Sequence, residues 1–257
     1  MNYLTGKGFI GKHLLKKVEA EHIPHELIQS IKLKPFDNFY FLSSYGNLIT
    51  QTDEDLIFKA NIEDLLSILK QIKRISFKSF IYLSTSSTKL KNQTTYSRSK
   101  RAAEQILRSL IEKYNYPILI IQPFSVTGIG EQREHLIPTL IDSCYTGKLV
   151  NFVPNPVHDY IDVDDLVSGI TILSNLGLKG IFELGSGVST SNKEVLAIVE
   201  EITKKKANIN EVSSLREYDN QEWVSTNFKA RGYRWIPRKT LRDSIKEMVR
   251  EYEKSKK

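Results

Sequence analysis

Apolar and polar positions change period repeatedly along the chain. Residues 1–4 form a short apolar run that ends in a glycine-rich stretch at 5–11. Ile10, Leu14, Leu15 and Val18 then recur at helical spacing. Residues 39–42 are apolar, too few for a helix and bounded by Asn38 and Ser43-Ser44, which predicts a buried strand. Residues 56–75 carry Leu56, Ala60, Leu65, Leu66, Ile68, Leu69 and Ile72 in a helical pattern. Residues 79–83 predict a strand that ends in Ser84-Thr85-Ser86-Ser87. A helix over about 96–114 has Ala102, Ala103, Ile106, Leu107, Leu110 and Ile111 on one side, and a strand over 117–126 closes at Thr127-Gly128. Nearly all-apolar strands alternating with helices of ten or more residues predict an open α/β fold whose parallel sheet is covered on both faces.

From about residue 129 the alternation lapses. Pro138, Pro154 and Pro156 punctuate helices expected near 136–145, 164–176, 192–204 and 238–257, with one strand at 180–184. The pattern predicts a smaller, mixed α/β second lobe made of 129–158 and 178–257. Residues 1–128, with a return segment at 159–177, form the first lobe.

Three loops rich in Gly, Ser and Thr, at 5–11, 43–47 and 84–88, follow strands, where open parallel sheets bind ligands. The first contains Gly6-Lys7-Gly8-Phe9-Ile10-Gly11, a G-x-G-x-x-G between strand and helix, the context in which backbone N–H groups receive a pyrophosphate. A dinucleotide site ordinarily has an acid about 20 residues further on. Here the chain reads Ile28-Gln29-Ser30-Ile31-Lys32 in an apparently truncated segment, 22–33. Either the adenosine is held in another way, or His22, His25 and Lys32 favour a 2′-phosphate.

Tyr96 and Lys100 stand four apart at a helix start and share a face. The ammonium is expected to lower the phenol's pKa so that Tyr96 works as acid or base near neutrality. Spacing alone does not single them out, since Tyr3 and Lys7 share it. A Ser/Thr-ended strand about ten residues upstream adds a hydroxyl for a proton relay.

The formal charge of +7 changes little, because Lys204-Lys205-Lys206 and the lysines 254, 256 and 257 fall at helix ends, where cations complement the macrodipole. No nucleic-acid motif is present; a basic nucleic-acid module would predict salt-sensitive retention of DNA or RNA. With one cysteine, Cys144, no secretory signal and no run long enough to span a membrane, the expectation is a cytoplasmic chain. Cys144 reads as a small core residue, and Trp223 and Trp235 as packing residues. His13 reads as a helix-surface residue. Asp162, Asp164 and Asp165 read as helix-start carboxylates that need no metal, and no grouping has metal-ligand spacing.

Together these pieces resemble the extended short-chain dehydrogenase/reductases, the NAD-dependent epimerase/dehydratase family that modifies nucleotide sugars. The likeness extends over nearly the whole chain: residues 4–11, Phe41-Leu42-Ser43-Ser44, Asn61, Leu83-Ser84-Thr85, the Tyr96/Lys100 pair, Gln122-Pro123-Phe124-Ser125-Val126-Thr127-Gly128, His158-Asp159-Tyr160-Ile161-Asp162-Val163-Asp164-Asp165, Gly185-Ser186-Gly187, and 227–237 with Lys229, Ala230, Trp235 and Pro237. The resemblance implies a Rossmann-type doubly wound sheet, shortened in its dinucleotide-binding half. It implies NAD or NADP as cofactor, held by Gly6, Lys7, Gly8, Phe9, Ile10, Gly11, Ser43, Ser44, Tyr96, Lys100 and Pro123. It implies Tyr96 as acid/base, Lys100 as orienter of the nicotinamide ribose and Thr85 as hydrogen-bonding partner. Thr85, Ser86, Phe124, Ser125 and His158 fall at substrate positions, Asn61 supports the catalytic helix, and a homodimer pairs the helices at about 56–74 and 96–114.

There are departures. Ser86-Ser87 stand where dehydratases carry Asp-Glu, which argues against that branch, while Ser125 replaces the substrate-side Asn and His158 the diphosphate-binding Arg. The expectation is an NAD(P)-dependent epimerase of a nucleotide-activated sugar in polysaccharide or glycoconjugate precursor synthesis. An NADPH-dependent nucleotide-4-keto-sugar reductase and a non-catalytic dinucleotide-binding sensor or scaffold are the alternatives.

Overall fold

The structure, a computed structural model, describes residues 1–214 and 223–256. Lys257 and residues 215–222 of the expected second lobe lie outside the described residues. In chain order, β1 (Tyr3–Thr5) leads through the glycine stretch into α1 (Phe9–Leu15), followed by β2 (Glu21–Ile23), a 3₁₀ turn (His25–Leu27) and β3 (Phe36–Phe41). The predicted helix near 56–75 is α2 (Glu54–Phe58), a π turn (Lys59–Glu63) and α3 (Asp64–Ile72) in succession. Then come β4 (Phe77–Leu83), a 3₁₀ turn (Ser86–Lys89), α4 (Thr95–Tyr114) and β5 (Ile118–Pro123). The rest comprises β6 (Ser125–Thr127), α5 (Leu136–Thr146), β7 (Val150–Phe152), β8 (Val157–Asp162), α6 (Val163–Asn175), β9 (Gly180–Leu184), β10 (Ser189–Ser191), α7 (Asn192–Thr203), β11 (Ile209–Glu211), α8 (Phe228–Arg231) and α9 (Leu241–Ser255).

Six parallel strands form the main sheet in the order β2-β1-β3-β4-β5-β9. The apolar runs of its strands feed two cores. On β3, β4 and β5, Phe39, Phe41, Phe80, Tyr82, Ile118 and Ile120 enter the core under α3 and α4. The intervening Tyr40, Ile81, Leu83, Leu119 and Ile121 enter the opposite core with Leu14 of α1 and Leu166 and Ile170 of α6. This period-2 split, apolar on both faces, is why these strands read as continuous hydrophobic runs. A third core, with Ile141, Phe152, Val195, Val199 and Ile245, lies in the second lobe.

Several expectations are corrected. The segment 22–33, expected to be truncated, adds no strand outside β2 among the described residues, but it holds the end of β2, which pairs Ile23 with Thr5, and the buried Ile28 and Leu33. β2 was invisible because it is a three-residue edge strand with one buried side chain. Against the usual doubly wound order 3-2-1-4-5-6, the sheet has no strand outside β2 among the described residues and gains β9 outside β5. The predicted strand 117–126 is two strands: the chain breaks at Phe124, and β6 pairs with β8 in a second sheet, order β10-β8-β6. β9 was assigned to the second lobe, but its register with β5 (Gln122 opposite Glu183) places it at the edge of the main sheet.

Candidate active site

The sheet reverses direction of growth between β1 and β3, so ligand access falls where their carboxyl ends diverge. Along that rim stand, in order, the glycine loop after β1, Ser43-Ser44 after β3, Ser84-Thr85 after β4 and Pro123-Phe124 at the end of β5.

The glycines of the first loop serve different ends. Gly6 has φ +83°, and a Cβ there would lie 2.5 Å from Ser43 N. A Cβ on Gly11 would collide with the carbonyl oxygen of Gly6. These two let β1, α1 and the loop after β3 close on each other. Gly8 is exposed, and a Cβ there would meet nothing within 4 Å. It caps α1, whose first turn holds no acid, and Lys7 beside it is exposed. An open backbone approach, a helix N-terminus and no opposing charge fit a diphosphate. The fit stops at the adenosine end. Beyond β2 come Pro24 and then His25, whose Nδ1 lies 2.9 Å from Asp64 Oδ2. Neither of the two residues directly after β2 is a carboxylate.

α4 sets the next group. Thr94 and Ser97 form its capping box, the Thr94 hydroxyl accepting from Ser97 N and Ser97 Oγ accepting from Thr94 N, both at 3.2 Å. Tyr96 and Lys100 thus fall in the first two turns and point into the rim. The hydroxyls of Ser44 and Thr85 face the Tyr96 phenol and favour its ionised form, but burial outweighs them and pushes the phenol up to about 12. Lys100 is 1% exposed. Its Nζ donates to Leu83 O at 2.6 Å and lies 4.3 Å from the Tyr82 ring centroid. Burial brings this amine down to about 7, against the pull of Glu104. The expectation that Lys100 lowers the Tyr96 pKa is therefore corrected: the ammonium is spent on the strand end, and desolvation dominates the phenol.

Behind them, Asn61 is fully buried in the π turn. Its Oδ1 accepts from Tyr45 N (3.1 Å), and its Nδ2 donates to Tyr45 O (3.0 Å) and Ser99 Oγ (2.9 Å). One side chain ties the loop after β3 to the catalytic-helix candidate, and the π turn aims it.

The structure brings Ser44, Thr85 and Tyr96 together, with Lys100 beneath. Ser86 is buried in the 3₁₀ turn beyond Thr85, and Phe124 is buried at the crossover between sheets. Ser125 and His158 lie on β6 and β8 of the second sheet, and His158 meets Trp223 edge-on at 5.0 Å between ring centroids. His13, expected on the surface, is 8% exposed: Nδ1 bonds Asp164 Oδ1 (2.8 Å) and Nε2 meets Ile129 O (2.9 Å), locking α1 to α6. Sequence reasoning also missed the weight of Asp159. This buried carboxylate accepts from Ser186 N and Oγ, Gly187 N, and Ser225 N and Oγ, at 2.5–3.0 Å. Cys144 is buried, and Trp235 packs in the second core while donating to Asp165 O. Among the described residues there is no cluster of metal-ligating side chains, and no helix is long and apolar enough to cross a membrane.

Residues 46–185 match the NAD dependent epimerase/dehydratase family, more than half of the chain. The chain belongs to that family. A UDP-glucose 4-epimerase of Rhizobium leguminosarum bv. trifolii is 25% identical over 90% of this chain and 78% of its own length. A dTDP-D-glucose 4,6-dehydratase of Dictyostelium discoideum is 22% identical over 75% of this chain, which spans about half of that relative (51%). The UDP-glucose 4-epimerase of Thermus thermophilus, solved with NAD, superposes with a TM-score of 0.85 at 17% identity, covering 98% of this chain and 99% of that one. The shared architecture is the Rossmann-type fold of these epimerases.

Proposed function

We propose that the chain is an NAD(P)-dependent epimerase of a nucleotide-activated sugar, working in the cytoplasm. The observation that carries the reading is the meeting of the Tyr96 phenol with the Thr85 hydroxyl, on the strand ends beside the glycine loop. Gly6, Lys7, Gly8, Phe9, Ile10 and Gly11 receive the cofactor's diphosphate, and Ser43, Ser44, Lys100 and Pro123 border its nicotinamide half. When bound, the nicotinamide accepts and returns a hydride. Tyr96 moves the proton of the reacting sugar hydroxyl, Thr85 holds that oxygen in line, and Lys100 orients the ribose. Ser86, Phe124, Ser125 and His158 line the sugar-nucleotide side. The apolar Leu56, Phe58 and Leu66, exposed on α2 and α3, are the surface on which a homodimer would close; light scattering reads that state.

Purified protein is expected to retain nicotinamide absorbance and to interconvert one UDP- or dTDP-sugar, followed by NMR of the anomeric proton. Tyr96→Phe is expected to lose about 10²- to 10⁴-fold in turnover, the usual share of a positioned acid/base. Undiminished turnover overturns the assignment. Retained nicotinamide with no sugar turned over would instead support the sensor reading.

A nucleotide-4-keto-sugar reductase using NADPH is the second reading. One observation favours it: Pro24 and His25, rather than an acid, come directly after β2. Stoichiometric consumption of added NADPH by a 4-keto sugar, without retained nicotinamide, selects it.

A further inference from the structure

Glu104 is absorbed by none of the roles above, yet it is 4% exposed, one helical turn after Lys100. Its Oε1 accepts from Ser84 Oγ at 2.5 Å and from Gln122 Nε2 at 2.8 Å. The same Gln122 amide donates to Thr88 Oγ1 (3.1 Å), whose hydroxyl donates to Thr85 O (3.0 Å). A continuous chain of hydrogen bonds therefore runs from the Glu104 carboxylate to the backbone of Thr85. The carboxylate dictates which way the amide faces. Gln122 turns its NH₂ toward Glu104 and leaves its own carbonyl oxygen buried without a partner, an unfavourable arrangement that keeps the network in this sense.

Three consecutive residues at the end of β4 are thus held from one side. Lys100 fixes the Leu83 carbonyl, Glu104 the Ser84 hydroxyl, and the Gln122–Thr88 link the Thr85 carbonyl. We infer that Glu104 is a positioning residue, a buried carboxylate that fixes the strand end presenting Thr85 and sets its charge one helical turn from Lys100. The inference rests on the roles proposed for Thr85 and Lys100 in the epimerase reading. The groups that face the carboxylate are Lys100 on its own helix, Tyr82 from β4, Ser84 and Thr88 at and beyond the end of β4, and Gln122 from β5. On neighbouring β9, Glu183 is engaged by Lys89 and Thr226. Lys100 is the one cation among the groups facing Glu104. Burial brings that amine down to about 7, and the Glu104 charge acts in the opposite direction.

The test follows the Lys100 ε-carbon resonance through a pH titration of ¹³C-lysine-labelled protein, assigned by its loss in Lys100→Met. This readout needs no turnover, so it stands or falls apart from the epimerase reading. In Glu104→Gln the Lys100 midpoint is expected to fall by about one pH unit or more, the size of effect a nearby opposite charge has on a buried group. The alkaline limb of kcat moves down with it. Ser84→Ala keeps the charge and is expected to leave the midpoint in place while lowering kcat several-fold. Should Glu104→Gln fail to fold, Glu104→Asp carries the same measurement, with a midpoint between wild type and the full effect. An unchanged Lys100 midpoint in whichever of the two Glu104 variants folds overturns the proposal. A shifted midpoint in a protein that turns over no sugar upholds the Glu104–Lys100 coupling and removes the epimerase.

Discussion

Asn61 Nδ2 donates to Ser99 Oγ across 2.9 Å of buried space. Ser99 precedes Lys100, and its hydroxyl also donates back to Tyr96 O at 2.8 Å. The bond therefore reaches, through one side chain, both members of the Tyr96/Lys100 pair. The other half of the Asn61 amide is spent on Tyr45, next to Ser44, so the phenol's hydrogen-bonding surroundings are positioned from a single turn of π helix.

Replacing Asn61 by alanine removes the side-chain partner of the part-buried Tyr45 N and Tyr45 O and the donor to the buried Ser99 Oγ, which keeps its bond to Tyr96 O. The expected destabilisation is about 2–4 kcal/mol, since each orphaned buried group costs about 1–3 kcal/mol and some will find water. At this chain length that is a melting temperature lower by about 5–15 °C. Turnover at a temperature where the variant remains folded should fall more than tenfold. Thermal unfolding followed by circular dichroism, with kcat at 20 °C, checks both halves; loss of stability with kcat intact would make Asn61 a scaffold residue only.

Lys100 gives stability a pH dependence of definite sign. Its amine lies at about 7 in the folded protein, brought down by burial from 10.5. Between those values the unfolded chain binds the extra proton and the folded one does not, so the cost of burying the charge is complete below pH 7 and disappears toward pH 10.5. Lys100→Met is therefore expected to gain most, relative to wild type, at pH 6–7, with the difference in melting temperature narrowing steadily toward pH 9.5. The lost contact with Leu83 O adds a constant offset and does not alter that slope. Parallel pH profiles for the two proteins would contradict the buried-amine assignment.

Asp159 is expected to be as sensitive as any residue in the second sheet. Five donors from two separate loops converge on one carboxylate, and a Cβ on Gly185 would strike both it and Ser225. Asp159→Asn keeps the shape but turns one acceptor into a donor facing donors. Hydrogen bonds to charged groups contribute about 1.5–3 kcal/mol each, so a loss of about 3 kcal/mol or more is expected, with the second lobe opening first. Hydrogen exchange of residues 185–189 and 223–227 is the measurement: unchanged protection there refutes the clamp.

How much of this was legible beforehand follows from the physics of each residue. The strand end and the helix start that carry Thr85, Tyr96 and Lys100 are written in local periodicity, the choice of these residues within them came from the family resemblance, and the structure brings them to one rim. Glu104 was passed over although it carries a signal: an acid on the same helical face as Ala103 and Leu107, four residues after a lysine, is out of place on a buried stripe. β2 was lost because Glu21, His22 and Ile23 have a single buried side chain, too little for any period. His13 was misjudged because its partners, Asp164 and Ile129, are more than 100 residues away, and no local pattern reports a contact of that separation. The Tyr96 pKa was misjudged for a related reason: i,i+4 spacing brings Lys100 near, but only three dimensions show that its Nζ is committed to Leu83 O and that the phenol is desolvated.

The glycine loop separates folding from binding in a way substitutions can resolve. At Gly11 a methyl group would collide with Gly6 O, backbone against backbone, so Gly11→Ala must push α1 away from β1 and is expected to lose several kcal/mol of stability. At Gly6 the positive φ adds strain to a clash with Ser43 N, and the same outcome is expected. Gly8 differs: its φ is −80°, and its added methyl meets nothing within 4 Å. Gly8→Ala should therefore melt within a degree or two of wild type. The open space it fills is nonetheless the approach to the N-terminus of α1, where a diphosphate would come closest to the backbone. Affinity for NADH or NADPH, read by nicotinamide fluorescence, is expected to fall about tenfold or more in Gly8→Ala with stability unchanged. Undiminished affinity in that variant would move the diphosphate off the glycine loop, and with it the placement of the nicotinamide over Tyr96.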